Sequence, residues 1–520
     1  MGRRGAAVSR ALAGALLPAV SDLLLAVDNG TQSVRALAFD SAGELIGRSR
    51  VPIDDYVVAK PGWHEYDAER FWTKACEACL QLWNQRPELR ARVAAVAVTS
   101  QRGTVVNVDR AGKPLRPAIT WLDQRKSPVV PEISTAMRAL FRAAGAQKTV
   151  RYFQREAEAN WLAACEPDVW KATYKFLLLS GYLNYRLTGE FVDSIGSQVG
   201  YLPFDFKGLR WAKPRDWRWQ ALRVTPAMLP DLFAPASVCG SVTERAAGEC
   251  GIAAGTPVVA AAADKACEVL GAGCTDPSIA CLSFGTTATI NVASPRYVEA
   301  SPLVPPYPGA IPKTYDVEVQ VFRGYWMIGW FKEQFGVWGD DLVDAVPPGA
   351  MGLMLQPYWS PGLKMPEAKG AIVGFGDVHT RAHVYRAILE GIAYALRDGK
   401  ERIERRSRTP ITALRVCGGG SQSDAALQLT SDIFGLPASR PHVYETSGLG
   451  AAIDAAVALK LHPDFASAVA AMSRTDRTFE PKPERRALYE ALYRRVYRRM
   501  YGRLRPLYAK IREITGYPAD

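Results

Sequence analysis

Two short turns with a Gly-Thr pair at the tip, residues 30–31 and 285–286, are the first candidates for chemistry. Each turn joins two apolar segments typical of neighbouring strands, so its backbone N–H groups and hydroxyls point in one direction. Glycine lets the backbone approach a ligand closely, and converging N–H groups form a concave anion site. Most such tips are ordinary hairpins. Their recurrence in separate halves of the chain indicates a duplicated fold with a cleft between the halves.

The first turn also carries ionisable side chains. Asp28 lies just before the Gly-Thr pair, and Ser33 and Arg35 follow it. A carboxylate beside a phosphate is repelled unless a cation stands between the two groups. Because Mg²⁺ binds to one or two carboxylates and keeps several of its waters, Asp28 is predicted to hold Mg²⁺ through water.

Asp264 closes the apolar segment 257–263, immediately before a helical pattern. A carboxylate at the end of a buried strand beside a cleft can accept the proton of an incoming hydroxyl group, as a general base must. Aspartate is equally favoured as the N-cap of the helix that follows. The residues alone leave both interpretations open.

Three consecutive glycines, residues 418–420, separate a strand pattern ending at Cys417 from a helix predicted to open at Ser421. Such a loop admits a phosphate or a flat ligand close to the backbone and to the helix N-terminus. It is not a P-loop, since no Lys-Ser/Thr pair follows, and the dinucleotide fingerprint fails at Ser423. The loop is therefore a ligand-binding candidate of another kind.

The elements that position these groups alternate between strand and helix. Apolar runs predict strands over 23–27, 35–39, 93–98, 257–263, 280–283, 288–292 and 413–417. Helical spacing predicts helices over 67–83 and 383–397. This alternation indicates an α/β architecture.

Composition narrows the class of protein further. The chain has 520 residues, 48% apolar and 22% charged, which fits two or three domains of ordinary globular composition. No run reaches the ~18 uninterrupted apolar residues of a spanning helix, so no membrane partner is expected. Nine thinly spread cysteines favour reduced thiols and a cytoplasmic protein. Residues 1–21 lead almost directly into the first strand and are predicted to be a disordered extension rather than an export signal.

The net charge of +12 is concentrated at the two ends of the chain. The body between them is balanced, so no nucleic-acid partner is expected. In the basic C-terminal segment, tyrosines recur every four residues at Tyr489, Tyr493, Tyr497 and Tyr501. On a helix they form one stripe, which predicts a packing face; contact of the arginines with an anionic surface is the alternative.

Several motifs, taken in order, resemble those of FGGY carbohydrate kinases. They are DNGTQSVRA at 28–36, AAAD at 261–264, SFGTT at 283–287 and GGGSQSDAALQLTSDIFGLP at 418–437. GAIVGF, followed seven residues later by HVYRAILE, is similar to the family's C-terminal signature, with Phe375 where a smaller aliphatic residue is usual. The resemblance covers about residues 22–457. It implies a duplicated actin/hexokinase/Hsp70-like (ribonuclease H-like) α/β fold whose two domains close over MgATP and a sugar or polyol.

The resemblance also implies which segment of the chain binds which ligand. Residues 22–272 would bind substrate and phosphate, residues 273–457 would bind the nucleotide, and residues 458–520 would form a basic helical tail. Asp264 would be the catalytic base, with ATP and Mg²⁺ as the cofactors. Contacts to ATP are implied for Asn29, Gly30, Thr31, Gln32, Ser33, Arg35, Gly285, Thr286, Thr287, Gly418, Gly419, Gly420, Ser421 and Ser423.

The acceptor pocket resembles that of glycerol kinases in part, through SQRGTVV and AITWLDQR. Substrate contacts are implied for Gln101, Arg102, Trp121, Asp123, Asp264 and Lys265. Gly103 stands where glycerol kinases have glutamate, and Lys265 where they have glutamine, which favours a larger ketose or polyol. The aromatic segment 322–331 is either a pocket wall or a packed helix.

The expected function is ATP-dependent phosphorylation of a hydroxyl group on a small ketose or polyol. Glycerol kinase proper stays open as an alternative. A second alternative is a nucleotide-driven binding module without phosphoryl transfer. Asp264 argues against this alternative, because such a module needs no base beside the phosphates. A third interpretation, a nucleic-acid-binding regulator, is supported by the basic tail alone. Whether the protein forms a homodimer is left open.

Overall fold

The computed structural model of the protein describes residues 22–54, 56–359, 365 and 367–517, so the predicted extension 1–21 lies outside the described residues. The strands of the first half are β1 Leu23–Asn29, β2 Ser33–Phe39, β3 Leu45–Pro52, β4 Glu65–Tyr66, β5 Val93–Ser100, β6 Val105–Val108, β7 Ala118–Ile119, β8 Lys175–Leu178, β9 Val192–Ser194, β10 Phe204–Asp205, β11 Arg210–Trp211, β12 Asp231–Phe233, β13 Ser237–Ser241 and β14 Pro257–Ala260. Its helices are α1 Ala68–Gln85, α2 Pro87–Arg90, α3 Thr135–Ala143, α4 Gln147–Glu156, α5 Glu158–Cys165, α6 Pro167–Ala172, α7 Leu179–Thr188, α8 Trp217–Ala221, α9 Glu244–Cys250 and α10 Asp264–Gly271.

The second half repeats the alternation. Its strands are β15 Ile279–Phe284, β16 Ala288–Ser294, β17 Tyr307–Pro308, β18 Tyr315–Val321, β19 Met354–Gln356, β20 Ala371–Val373, β21 Ala413–Cys417, β22 Ala438–Pro441 and β23 Thr475–Phe479. Its helices are α11 Trp326–Phe335, α12 Asp340–Asp344, α13 Arg381–Ser407, α14 Asp424–Phe434, α15 Thr446–Ala458, α16 Phe465–Met472, α17 Pro483–Ala491 and α18 Arg498–Thr515.

Each half has one large sheet at its centre, and the two sheets share the same core topology. The first has the strand order β13-β14-β5-β1-β2-β3 and the second β17-β18-β16-β15-β21-β22-β23. In the first sheet, β1 pairs antiparallel with β2 and parallel with β5, which pairs parallel with β14. In the second, β15 pairs antiparallel with β16 and parallel with β21, which pairs parallel with β22. The predicted duplicated α/β fold is therefore confirmed.

Several predicted boundaries differ from the structure, as three elements show. Strand β14 ends at Ala260, and α13 extends beyond the predicted helix at both ends. The glycine-rich loop leads into a 3₁₀ turn, Gly419–Gln422, and α14 begins at Asp424 rather than at Ser421. The reason is local: the Ser423 hydroxyl accepts a hydrogen bond from the Ala426 backbone N–H at 3.0 Å and caps the helix there.

The C-terminal segment, predicted as a basic helical tail with a tyrosine packing face, is built into the second half. Strand β23 pairs with β22, and a π-helical turn, Leu492–Tyr497, connects α17 to α18. Tyr489 and Tyr493 are buried, and the Tyr493 ring stacks on Tyr394 of α13 at 6.1 Å. The packing interpretation of the tyrosine stripe is confirmed.

Helices α10 and α15 join the two halves. Residues of α15, among them Leu449 and Ile453, pack in one apolar cluster with Leu24 and Ala26 of β1. A segment late in the chain thus covers one face of the first sheet. Over the part of the chain that the structure describes, no helix is both long and apolar enough to cross a membrane.

Candidate active site

A cavity of about 1540 Å³ opens between the two halves. Both Gly-Thr turns, the glycine-rich loop and the N-terminus of α10 contribute to its wall, although they come from distant parts of the sequence. Most of the predicted site residues line it: Asp28, Gly30, Thr31, Gln32, Arg35, Gln101, Arg102, Trp121, Asp264, Lys265, Gly285, Thr286, Thr287, Gly418, Gly419, Gly420 and Ser423.

Four predicted site residues, Asn29, Ser33, Asp123 and Ser421, do not line the cavity. Asn29 and Ser33 are fully buried within the first sheet, because successive side chains of a strand point to opposite faces. Ser421 is buried, and its carbonyl oxygen accepts a hydrogen bond from Arg440 Nε at 2.7 Å. Asp123 accepts hydrogen bonds from Arg125 Nη2 and from the His64 backbone N–H, both at 2.7 Å. Ligand contact by these four residues stays a prediction, to which the lining of the cavity adds no support.

Asp264 is the first residue of α10, and Ala263 occupies the cap position. Its Oδ1 accepts a hydrogen bond from the Lys265 backbone N–H at 2.8 Å, which fixes the carboxylate at the edge of the cavity. Burial raises the pKa of the Asp264 carboxyl to about 6, while the charges of Lys265 and Arg102 oppose the rise. A carboxylate with a pKa near neutrality is a suitable general base.

Lys265 points away from the acceptor residues and toward the second half. Its Nζ donates hydrogen bonds to Glu268 Oε2 at 2.7 Å and to Ser283 Oγ at 2.6 Å. Ser283 in turn donates to Glu268 Oε1 at 3.0 Å. Burial alone would lower the pKa of Lys265, but Glu268 and Asp264 keep it above its usual value. This triad connects α10 with β15, the strand that leads into the second Gly-Thr turn.

Asp28 is buried and accepts a hydrogen bond from Arg35 Nη1 at 2.7 Å. Burial raises its pKa; Arg35 opposes this effect, and the neighbouring carboxylates Glu445 and Glu268 add to it. Glu445 also forms an ion pair with Arg35 Nε at 3.5 Å. Asp28 and Glu445 share the one guanidinium of Arg35, which leaves an excess of negative charge that a divalent cation would offset.

A magnesium ion fits this region through water rather than through a protein cage. Within the described ranges, no group of three or more His, Cys, Asp or Glu side chains is close enough to hold a metal ion. Mg²⁺ usually keeps several waters and takes one or two carboxylates besides the phosphate oxygens. Asp28 lines the cavity and is the carboxylate predicted for that arrangement.

The first Gly-Thr turn is tied to the acceptor residues. Trp121 Nε1 donates a hydrogen bond to Thr31 Oγ1 at 2.9 Å, and the Thr31 hydroxyl donates to Gln101 Oε1 at 3.3 Å. The Tyr56 hydroxyl donates to the Thr31 carbonyl oxygen at 2.5 Å. The turn that is predicted to contact phosphate therefore also sets the orientation of Trp121.

The glycine-rich loop is close to the second Gly-Thr turn. A Cβ at Gly420 would overlap the ring of Tyr325, which stacks on Phe284 at 4.4 Å. Gly418 has a φ of +79°, which a side chain would strain. Gly419, by contrast, has room for a Cβ, whose nearest atom would be the Tyr444 hydroxyl at 3.5 Å. The loop thus places bare backbone against the cavity.

The aromatic segment 322–331 is both a packed helix and a pocket wall. Helix α11 buries Met327 and Phe331 in the core of the second half, while Trp326 and Trp330 line the cavity. Residues three and four apart on a helix share a face, so one face packs and the other forms a wall.

Sequence reasoning missed three carboxylates of the site. Glu268 follows Asp264 by one helical turn, a spacing that could have indicated it. Glu445 and Glu318 line the cavity from the second half, where they form ion pairs with arginines of the first half. Glu318 is an ion-pair partner of Arg102, with Nη1 and Oε2 3.1 Å apart.

Duplicated sheets that present glycine-rich turns on both walls of one cleft define the actin/hexokinase-like fold. The chain belongs to the FGGY family of carbohydrate kinases: the model of the family's N-terminal domain matches residues 23–271, and that of the C-terminal domain matches residues 280–459. Members of this family are phosphotransferases with an alcohol group as acceptor, and they use ATP as phosphate donor.

Curated relatives carry several names within this family. A sugar kinase of Escherichia coli described as uncharacterised is 28% identical over 88% of this chain and 89% of its own length. A xylulose kinase of Lactococcus lactis is 27% identical, covering 90% of this chain and 94% of that one. A glycerol kinase of Dechloromonas aromatica is 29% identical, covering 88% and 93%. Near-equal identities to different kinases leave the acceptor open.

Solved structures agree with the fold. The xylulose kinase of Rhodospirillum rubrum is similar with a TM-score of 0.78 and 26% identity, over 94% of this chain and 100% of that chain. The gluconate kinase of Lactobacillus acidophilus has a TM-score of 0.79 and 22% identity, over 94% and 99%. The second likeness concerns the fold alone.

Proposed function

We propose that this protein transfers the γ-phosphate of MgATP to a hydroxyl group of a small ketose or polyol, with Asp264 as the general base. The observation that carries the proposal is the position of Asp264: a carboxylate with a pKa of about 6 on the wall of a cavity that both Gly-Thr turns share. In this family the acceptor is an alcohol, and an alcohol needs a base near the attacking oxygen.

Each wall of the cavity has a separate task in this proposal. Thr31 and Arg35 face the phosphates from the first half, and Thr286 and Thr287 face them from the second. Gly419 lies against the nucleoside. Arg102 and Trp121 orient the acceptor, so that its hydroxyl lies beside Asp264 and in line with the γ-phosphorus. Mg²⁺ would neutralise charge on the phosphates.

Positioning and charge neutralisation would supply most of the rate enhancement in phosphoryl transfer. Base catalysis by Asp264 would add about 10²–10⁴-fold. Closure of the two halves, which we assign to residues 22–272 and 273–457, would remove water that competes as an acceptor. We place this activity in the cytoplasm, because all nine cysteines are unpaired and eight of them are buried.

Glycerol is the second candidate acceptor. It is favoured by Arg102 and Trp121, which match the glycerol kinase pattern and both line the cavity. Gly103 and Lys265 count against it. Gly103 adds no side chain to the pocket, and Lys265 is engaged with Glu268 and Ser283. A larger acceptor would use the space beside Gly103.

The test is ADP release with MgATP and a panel of acceptors: glycerol, erythritol, and the D- and L-forms of ribulose and xylulose. Wild type and Asp264→Asn are assayed side by side. One strong ketose or polyol acceptor, silenced by the substitution, would support the proposal. Glycerol as the best acceptor would favour the second candidate. ATP binding without turnover on any acceptor would favour a non-catalytic binding module and contradict the proposal.

A further inference from the structure

The Arg102–Glu318 ion pair connects the two halves across the acceptor side of the cavity. Arg102 follows β5 of the first half, and Glu318 lies on β18 of the second. Nη1 of Arg102 is 3.1 Å from Oε2 of Glu318, and its Nη2 donates to Oε1 at 3.2 Å. Only 17% of the Arg102 side chain and 4% of the Glu318 side chain are exposed. One hydrogen bond and one close ion contact therefore restrict the orientation of the guanidinium.

The aromatic ring of Tyr307 also contacts the guanidinium of Arg102. The guanidinium carbon lies 4.9 Å from the centre of the Tyr307 ring. Burial alone would lower the pKa of Arg102, but Glu318, Tyr307 and Asp264 keep it above its usual value. The positive charge of Arg102 is therefore retained, and it is already balanced within the protein.

The charges around the acceptor position determine which acceptors fit. Arg102 carries positive charge on this wall, while Asp264 and Glu318 carry negative charge; Lys265 is paired with Glu268. A carboxylate on the acceptor would need Arg102 as its counterion, but Glu318 occupies that position. Like charges brought together in a partly desolvated site oppose binding strongly. Hydroxyl groups meet no such penalty, because the guanidinium has five N–H donors and Glu318 accepts from only part of them.

We propose that Glu318 is a specificity-determining residue that restricts the cavity to uncharged ketoses and polyols and excludes sugar acids. It acts by neutralising and orienting Arg102, so it is a positioning residue rather than a catalytic one. The inference rests on the proposed function and names its substrate class. It also gives Arg102 a fixed orientation before the acceptor arrives, because the pair forms between the protein's own two halves.

The test compares two acceptors of equal length, D-xylulose and D-xylonate, or the corresponding pair for the best neutral acceptor of the panel. The ratio of kcat/KM for the neutral acceptor to that for the aldonate is measured for wild type, Glu318→Gln and Glu318→Asp. We expect wild type to prefer the neutral acceptor by at least about 100-fold. Glu318→Gln should reduce this ratio by about tenfold or more, mainly by lowering KM for the aldonate. Glu318→Asp, which keeps the charge, should largely preserve it.

Glu333 supplies the matched control, since it is an exposed carboxylate that lines the same cavity on α11. Glu333→Gln removes the same charge and should leave the acceptor ratio unchanged. Binding of both acceptors without ATP, measured by calorimetry, gives a readout that does not depend on turnover. Thermal melts show whether each variant is folded.

The outcomes separate the inference from the proposed function. If wild type phosphorylates the ketose and Glu318→Gln leaves the ratio unchanged, the inference is wrong and the proposed function stands. A wild-type preference for the aldonate would also overturn the inference. If wild type neither binds nor phosphorylates any neutral acceptor, both fail. Equal loss of activity on both acceptors in a folded Glu318→Gln variant would show a purely structural contribution and likewise contradict the inference.

Discussion

Gly450 on α15 lies against the carbonyl oxygen of Cys267 on α10, with no room between the two backbones for a Cβ atom. Gly271 at the end of α10 has the same relation to the carbonyl oxygen of Thr446. The helix that begins with Asp264 and the helix that follows Glu445 therefore cross with their backbones in contact. This crossing couples the position of the proposed base to the joint between the two halves.

Substitution of Gly450 by alanine should destabilise the protein strongly. The added methyl group overlaps backbone rather than a flexible side chain, so α10 and α15 must move apart. Overpacking of a core costs typically about 1–3 kcal/mol, and more where the backbone cannot relax. We expect a lower midpoint of thermal unfolding and, at temperatures where the variant is folded, a lower kcat, because Asp264 moves with α10.

The matched control for this variant is Gly248→Ala on α9. Gly248 is also helical, but it is exposed and nothing lies within 4 Å of its Cβ position. Alanine should stabilise this helix by roughly 0.5–1 kcal/mol, since glycine has a low helix propensity. Equal stability of Gly450→Ala and wild type would show that the two helices are not in contact as described.

The pH dependence of the reaction should report on Asp264. Its pKa is about 6, raised by burial, and a general base must be deprotonated to act. The rate should therefore be constant above about pH 7 and should fall roughly tenfold per pH unit below about pH 6. The measurement is kcat/KM for the best acceptor between pH 5 and 9, with ATP saturating.

Asp264→Asn is the companion variant. It cannot accept the proton, so kcat should drop by about 10²-fold or more, and the acidic limb of the profile should disappear from the residual activity. The acceptor KM should change less than kcat, because the amide keeps the shape of the carboxylate. A residual profile that still bends near pH 6 would assign that pKa to another group.

Seven strands of the two large sheets could be predicted because their signal is local. The apolar run around Leu24 in β1 and the run that ends at Cys417 in β21 identify buried strands without knowledge of their partners. The Gly-Thr turns and Asp264 were found for the same reason, since each stands at the end of such a run. Boundaries such as the start of α14 failed, because the cap at Ser423 and the 3₁₀ turn before it depend on backbone geometry.

The remaining parts of the site depend on contacts that are distant in the sequence. Glu318 lies 216 positions from Arg102, and no periodicity connects the two residues. The placement of α15 against β1 is equally non-local. Asp123 is different: Arg125, only two residues later, donates to its carboxylate, so the sequence does place a partner for this residue nearby.

Asp454 on α15 should destabilise the native protein at neutral and alkaline pH. Its side chain is fully buried, and burial raises its pKa well above the usual range. An acid with a raised folded-state pKa stabilises the fold while it is protonated, and this contribution is lost as the pH rises above the unfolded-state pKa. Asp454→Leu should therefore raise the unfolding free energy by about 1–3 kcal/mol at pH 8, with a smaller gain at pH 5.

Chemical denaturation at the two pH values measures this difference. Asp432 provides the control, since it is also buried but accepts a hydrogen bond from the Lys482 backbone N–H at 2.8 Å and forms an ion pair with Arg485. Asp432→Leu should destabilise the protein at both pH values, because these donors lose their acceptor. A loss of stability in Asp454→Leu would mean that its carboxyl has a favourable partner.

Gly419 and Gly420 should respond differently to alanine, although they are adjacent. At Gly419 the nearest atom to an added Cβ is the Tyr444 hydroxyl at 3.5 Å, so the methyl group fits the protein and projects into space proposed for the nucleoside. Gly419→Ala should keep the wild-type melting temperature and raise the KM for ATP by about tenfold, with the acceptor KM unchanged. At Gly420 the methyl group overlaps the Tyr325 ring, which Phe284 holds by stacking. Gly420→Ala should therefore lower stability by about 1–3 kcal/mol. An unchanged ATP KM in Gly419→Ala would place the nucleoside elsewhere in the cavity, because bare backbone at this position would then have no ligand to accommodate.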